Sequence, residues 1–180
     1  LSPTYVPQTN ETGTITLTMT AYGVAPCGNL IDAMDLLIIP APVASAGSDD
    51  SICESQVFIP NTATAGYYTN LLWTTSGTGY FSNPAALHPT YTPSASDILN
   101  GSVVLTITAS GSAPCGSVSD DMMLVIRKAP VAYAGEDAEI CEGSVYTVTA
   151  ATASNYTTLL WSHDGAGVLA NASTLSPTYT

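Results

Sequence analysis

Positive charge is almost missing from this sequence. Only Arg127 and Lys128 among the 180 residues are cationic, against 14 carboxylates, for a formal charge of −12. Nucleic-acid binding requires a basic footprint that displaces phosphate counterions, and no such footprint exists here. The same lack excludes direct electrostatic attachment to an anionic membrane surface. Long apolar runs are also missing: stretches such as Leu36 to Ile39 and Met122 to Ile126 are far short of the roughly 18 residues of a membrane span. Histidine occurs twice, at His88 and His163, and neither stands in a nucleophile elbow or beside a Gly-rich phosphate loop. No stretch of about 12 residues keeps a helical period. These absences remove the common enzyme classes and leave no catalytic residue to name.

What the chain does have is a repeat, which must be recognised before anything else is read. Residues 43–92 align without a gap on residues 131–180, with identity at 25 of 50 positions and an offset of 88. Gly13 to Ile38 falls on Gly101 to Ile126 at the same offset. The opening Leu-Ser-Pro-Thr-Tyr returns as Leu87 to Thr92 and again as Leu175 to Thr180. The expected organisation is the back half of one unit (1–42), one complete unit (43–130) and the front half of a third (131–180). Such a window belongs either to a longer array or to chains whose half-units complete one another, and both describe a filament.

The period within each unit is two. In Thr14 to Ala21, Ile15, Leu17, Met19 and Ala21 alternate with threonines, the pattern of a half-buried strand. Val103, Leu105, Ile107 and Ala109 repeat it, and Met122, Leu124 and Ile126 are expected to face inward from the following strand, matched by Met34 to Ile38. Further strands are expected around Val57 to Ile59, at Val145 to Val148, at Leu71 to Trp73 and at Leu159 to Trp161, with the turn of the middle unit at Ser76 to Gly79. Ser94, Asp97 and Gly101 read as the caps of a single helical turn. Some seven short strands and one tryptophan per unit predict an all-β chain of tandem immunoglobulin-like antiparallel sandwiches.

Each period carries two cysteines, Cys53 and Cys141 in Ile-Cys-Glu and Cys27 and Cys115 in Ala-Pro-Cys-Gly, without the spacing of a zinc site. Disulfides in an oxidising compartment are the better reading. Cys53 with Cys115 would close the complete unit, leaving Cys27 and Cys141 to partners outside the window or in adjacent chains. The rival arrangement, Cys27 with Cys53 and Cys115 with Cys141, would staple successive units.

Calcium is the one cofactor the residues suggest. Asp49, Asp50 and Glu54 gather near the start of one unit, and Glu136, Asp137, Glu139 and Glu142 near the start of the next, with Asp120 and Asp121 before a later strand. Hard cations take six to eight oxygens, and clusters between units would supply some of them. Acidic loops also simply keep a surface soluble, and no EF-hand or nonapeptide motif is present.

The runs Ala46-Gly47, Ile52-Cys53-Glu54, Leu71 to Pro84, Leu87 to Ala109 and Ala113 to Asp120 resemble the PKD-like, immunoglobulin-like repeats of giant surface proteins of bacteria that use type IX secretion, a group that includes gliding-motility adhesins. The resemblance covers the whole chain. It implies a cell-surface, non-catalytic shaft or spacer whose partners are neighbouring repeats or identical chains, with glycans or other surfaces as further partners. Asp50 to Ile52 matches the short O-glycosylation motif of these bacteria, with Ser51 as the acceptor. Asn10, Asn100, Asn155 and Asn171 stand in N-glycosylation sequons, which arise by chance in Thr-rich text. Tyr67, Tyr68 and Tyr156 are candidates for a sugar-binding patch or for packing between repeats.

Overall fold

Alternation of apolar and β-branched residues makes strands here, and turns and prolines divide them. The structure, a computed structural model, describes residues 3–180; Leu1 and Ser2 of the opening word lie outside the described residues. Among the described residues the chain is all-β apart from one short helix. Strands β1 (Gly13–Ala21) and β2 (Leu30–Ile38) form an antiparallel hairpin. Then follow β3 (Val43–Ser45), β4 (Asp50–Cys53), β5 (Thr64–Gly66), β6 (Asn70–Thr75), β7 (Tyr80–Phe81), β8 (Tyr91–Thr92), α1 (Ala95–Asn100), β9 (Ser102–Ser110) and β10 (Ser117–Arg127). The remainder holds β11 (Val131–Tyr133), β12 (Tyr146–Thr147), β13 (Thr152–Ser154), β14 (Leu169–Ala170) and β15 (Thr178–Tyr179).

Residues 43–127 build a sandwich. One layer is the sheet β4-β10-β9-β6, in which β4 joins β10 in parallel and the other neighbours are antiparallel. The other side carries two separate antiparallel pairs, β3 with β5 and β7 with β8, and an isolated bridge ties Phe58 to Tyr91 of β8. Val103, Leu105, Ile107 and Ala109 of β9, and Met122, Leu124 and Ile126 of β10, are buried. They meet Ala46, Phe58, Ala63, Leu71, Trp73 and Tyr91 from the rest of the unit. Trp73, Phe81 and Tyr91 stack in series, with ring centroids 5.7 and 5.0 Å apart, and the Trp73 indole N–H donates to the Leu87 carbonyl. The inward and outward faces of β9 and β10 are those that the alternation predicts, and Met123 faces out.

Registers recur at the 88-residue offset. Ile15 lies opposite Leu36 as Val103 lies opposite Leu124; Val43 lies opposite Gly66 as Val131 lies opposite Ser154; Phe81 lies opposite Tyr91 as Leu169 lies opposite Tyr179.

Some expected strands differ. Val57 to Ile59 contributes one bridge and no strand, because Pro60 offers no N–H and the chain turns there, Asn61 donating back to Ile59. Ser94 to Gly101 forms a six-residue helix, longer than a single turn; it has a full capping box at Ser94 and a left-handed Gly101 at φ 77°. Leu159 to Trp161 is not a strand, although Leu71 to Trp73 is. The reason is that β6 is held by β9, and residues 131–180 contain no counterpart of β9.

Candidate interaction surface

Asp97 shapes one end of the complete sandwich. It is 1% exposed, and its Oδ1 accepts the Thr78 N–H at 3.0 Å. Its Oδ2 accepts the N–H groups of Gly79 and Ser94, each at 2.9 Å, and the Tyr91 hydroxyl at 2.8 Å. A Cβ on Gly77 or Gly79 would collide with this carboxylate. Burial works to raise the Asp97 pKa, but hydrogen bonds from Ser94, Thr78 and Tyr91 outweigh it and hold the carboxyl below its ordinary value. Burial, reinforced by the bond to Asp97, pushes the Tyr91 hydroxyl up to about 12. Every polar atom of the cluster is satisfied, so it serves as a structural pin. Sequence reasoning identified Asp97 only as a cap; the signal for its wider role was the Gly-x-Gly turn upstream of a Tyr and an Asp. The first segment carries a reduced copy, in which Glu11 accepts the Tyr5 hydroxyl at 2.6 Å and the Gln8 N–H at 2.8 Å.

The cysteines lie at the two poles of the sandwich. Cys53 is the register partner of Arg127 at one end of β10, and Cys115 precedes Ser117 at the other. An 11-residue strand is roughly 33 Å long, whereas a disulfide needs α-carbons within about 7 Å. The expected Cys53–Cys115 pairing is therefore incompatible with the fold. All four cysteines are free thiols. Cys115 sits on the joint to the preceding segment, its sulfur 3.9 Å from the carbonyl oxygen of Ile39 and 3.8 Å from that of Pro40.

The acidic residues are divided among separate tasks. Asp49 accepts the Met123 N–H at 2.8 Å, Asp50 that of Ser51 at 2.7 Å, and Glu54 that of Ala129 at 3.1 Å. Asp120 accepts the Ala46 N–H at 2.9 Å. Asp137 and Glu142 are exposed, as is Glu136, whose carboxylate accepts the Tyr133 hydroxyl. Among the described residues, no three His, Cys, Asp or Glu side chains gather in a way that could hold a metal ion. Ser51 is exposed on β4, an edge strand. Asn10, Asn100, Asn155 and Asn171 are not buried, and the Asn155 amide donates to the Ala129 carbonyl at 3.1 Å. His88 hydrogen-bonds the Pro60 carbonyl and His163 the Gly165 carbonyl. Tyr67 and Tyr68 line a cleft with Ile39 and Pro40 at the joint between the first segment and the sandwich.

The largest unsatisfied features are apolar faces on either side of the sandwich. Met19, Ile31 and Met34 of the β1–β2 hairpin are exposed, although Ile107 and Met122, the counterparts of Met19 and Met34, are core residues. In the last segment Ile140 is exposed, and Ala132, Ala134, Ala151, Leu159, Trp161 and Leu175 line an apolar groove.

No family model matches the chain, and no curated protein matches it. Among solved structures it is similar to the extracellular cadherin domains 1–4 of protocadherin gamma B7, at 14% identity and a TM-score of 0.48. That match covers 93% of this chain and 48% of the other, so the chain spans about half the length of that structure. The fold assignment stands on the strands, layers and core described above.

Proposed function

We propose that this chain is a piece of the non-catalytic shaft of a long extracellular surface protein, an adhesin or filament of a bacterium that uses type IX secretion. Its sandwiches follow one another head to tail with the boundaries 1–42, 43–130 and 131–180. The observation that carries this reading is polar geometry. The chain enters the complete sandwich beside the Gly111–Cys115 loop, where Pro42 packs on Gly111, and leaves it at the opposite pole, where Glu54 grips Ala129. Units entered at one pole and left at the other stack end to end, and the repeated registers support the same design on both sides. In such an array stability is a sum of unit and nearest-neighbour terms. The tyrosines at the joint, Tyr67 and Tyr68, fit a role in packing successive units.

The second reading is a multivalent carbohydrate- or surface-binding module, favoured by the exposure of Tyr67, Tyr68 and Tyr156. A glycan array probed with the 180-residue protein separates the two. The shaft predicts no binding above background; selective binding lost on Tyr156→Ala would replace it with the second reading.

A further inference from the structure

Both cysteines of the complete unit meet a residue at which a unit ends, but from different sides. Arg127 is that residue in the complete sandwich, and Ile39 is its counterpart at the offset of 88. Cys53 is the parallel register partner of Arg127, and the N–H of the next residue, Glu54, donates to the Arg127 carbonyl at 2.8 Å. At the opposite pole the Cys115 sulfur lies 3.9 Å from the Ile39 carbonyl oxygen and 3.8 Å from that of Pro40. Cys53 is therefore seated on the last residues of its own unit, and Cys115 on the last residues of the unit before. Both thiols are half-buried.

We propose that a disulfide staples each joint at which one complete unit follows another, from Cys53 of the leading unit to the counterpart of Cys115 in the following one. The inference rests on the stacked-sandwich reading and adds a covalent bond to it. The repeat supplies the transfer. Ile39, Pro40 and Pro42 correspond to Arg127, Lys128 and Pro130, and Pro42 packs on Gly111 beside Cys115. A unit seated on Pro130 as the complete unit is seated on Pro42 brings its Cys115 counterpart to the Arg127 carbonyl, where the Cys53–Glu54 peptide already sits. Thiols gathered on one carbonyl come within the span that a disulfide bridges, with α-carbons no more than about 7 Å apart.

Pairings inside the 180 residues lack this geometry. Cys115 stands at the pole where the chain enters the sandwich and Cys141 beyond the pole where it leaves, with the 11 residues of β10 between them. Cys27, before the entry pole, is kept from Cys53 in the same way. The staple forms by thiol–disulfide exchange: one thiolate attacks oxidised glutathione and releases one reduced glutathione, and the second thiolate displaces the other. The two protein thiols lose two protons and two electrons, and the glutathione disulfide gains them. A pull along the array then passes from unit to unit through a covalent bond.

The test uses the whole 180-residue chain with residues 43–130 present twice in tandem, which creates one joint between complete units. One version keeps only Cys53 of the first copy and Cys115 of the second, with every other cysteine changed to serine. With oxidised glutathione both thiols should become closed to iodoacetamide and recover fully on reduction, and non-reducing peptide mapping should join them within one chain. The converse version keeps only Cys115 of the first copy and Cys53 of the second. Its thiols stand at the outer poles of the two units and should stay open to alkylation. Equal reactivity in the two versions overturns the proposal, as does a Cys27–Cys53 or Cys115–Cys141 cross-link within the unaltered chain. Small-angle scattering of the reduced protein distinguishes that failure from failure of the shaft, because a stacked unit lengthens the rod by roughly 33 Å, the length of β10. A lengthened rod with reactive thiols ends the staple and leaves the shaft; a protein no longer than the 180-residue chain removes the shaft and the staple with it.

Discussion

Asp97 is the residue on which most backbone groups of the complete unit converge: it accepts from three N–H groups and the Tyr91 hydroxyl while nearly excluded from water. Removing a carboxylate so placed strands all four donors, and unpaired buried donors cost more than the bonds themselves contribute. Asp97→Ala should therefore destabilise the sandwich by about 3 kcal/mol, measured by urea unfolding followed through Trp73. The pH dependence follows from the two directions of shift. Asp97 titrates below its unfolded value near 4, so its contribution is present above that pH and lost as pH falls through the folded pKa. Tyr91 titrates near 12 in the fold against about 10 unfolded, so its contribution is full below about pH 10 and disappears between about 10 and 12. The wild-type curve should fall at both ends, and Asp97→Ala should flatten the acid limb.

Among elements, the instructive comparison is β1 with β9, which share alternation and register at the 88-residue offset. Ile107 is 0% exposed and Met19, its counterpart, 68%. The difference arises from neighbours: β9 is flanked by β6 and β10 and covered by a second layer, whereas among the described residues β1 pairs with β2 alone. Ile107→Ala should cost about 3 kcal/mol through lost contacts and a residual cavity. Met19→Ala in the reduced, dilute chain should change stability by less than about 0.5 kcal/mol. Equal costs at the two positions, read from urea midpoints, would contradict the exposure of β1. The inward face of each strand was legible from alternation alone, and so were the caps of α1 at Ser94 and Gly101. Whether Leu159 to Trp161 becomes a strand was not, because a strand needs a partner edge and that edge belongs to a hairpin distant in sequence.

For the whole molecule, charge and poles set behaviour. With a formal charge of −12 and two cations, the surface repels copies of itself laterally. The carboxylates of Asp49, Asp50 and Glu54 each hold a different backbone N–H, an arrangement already complete without a cation. Melting of the sandwich should accordingly be the same in calcium and in EDTA; a rise of several degrees with calcium would restore the acidic clusters as ligands. The cysteine pattern belongs to this scale too. Composition and spacing pointed to disulfides, but which thiols can meet depends on β10 separating Cys53 from Cys115 by its full length.

From the amino-acid sequence alone came the period of 88, the all-β class, the inward face of each long strand and the capped turn after β8. These are local properties: alternation, turn residues and caps act over a few neighbours, and a repeat copies them intact. Only the tertiary structure decided that Asp97 is a buried hub, that Cys53 and Cys115 stand at opposite poles, and that corresponding positions of the repeat are core in one segment and surface in another. Those outcomes depend on strand order, above all on β4 lying parallel to β10, and on which layer covers which face. Such contacts join residues more than 70 positions apart, a distance over which no local pattern carries information.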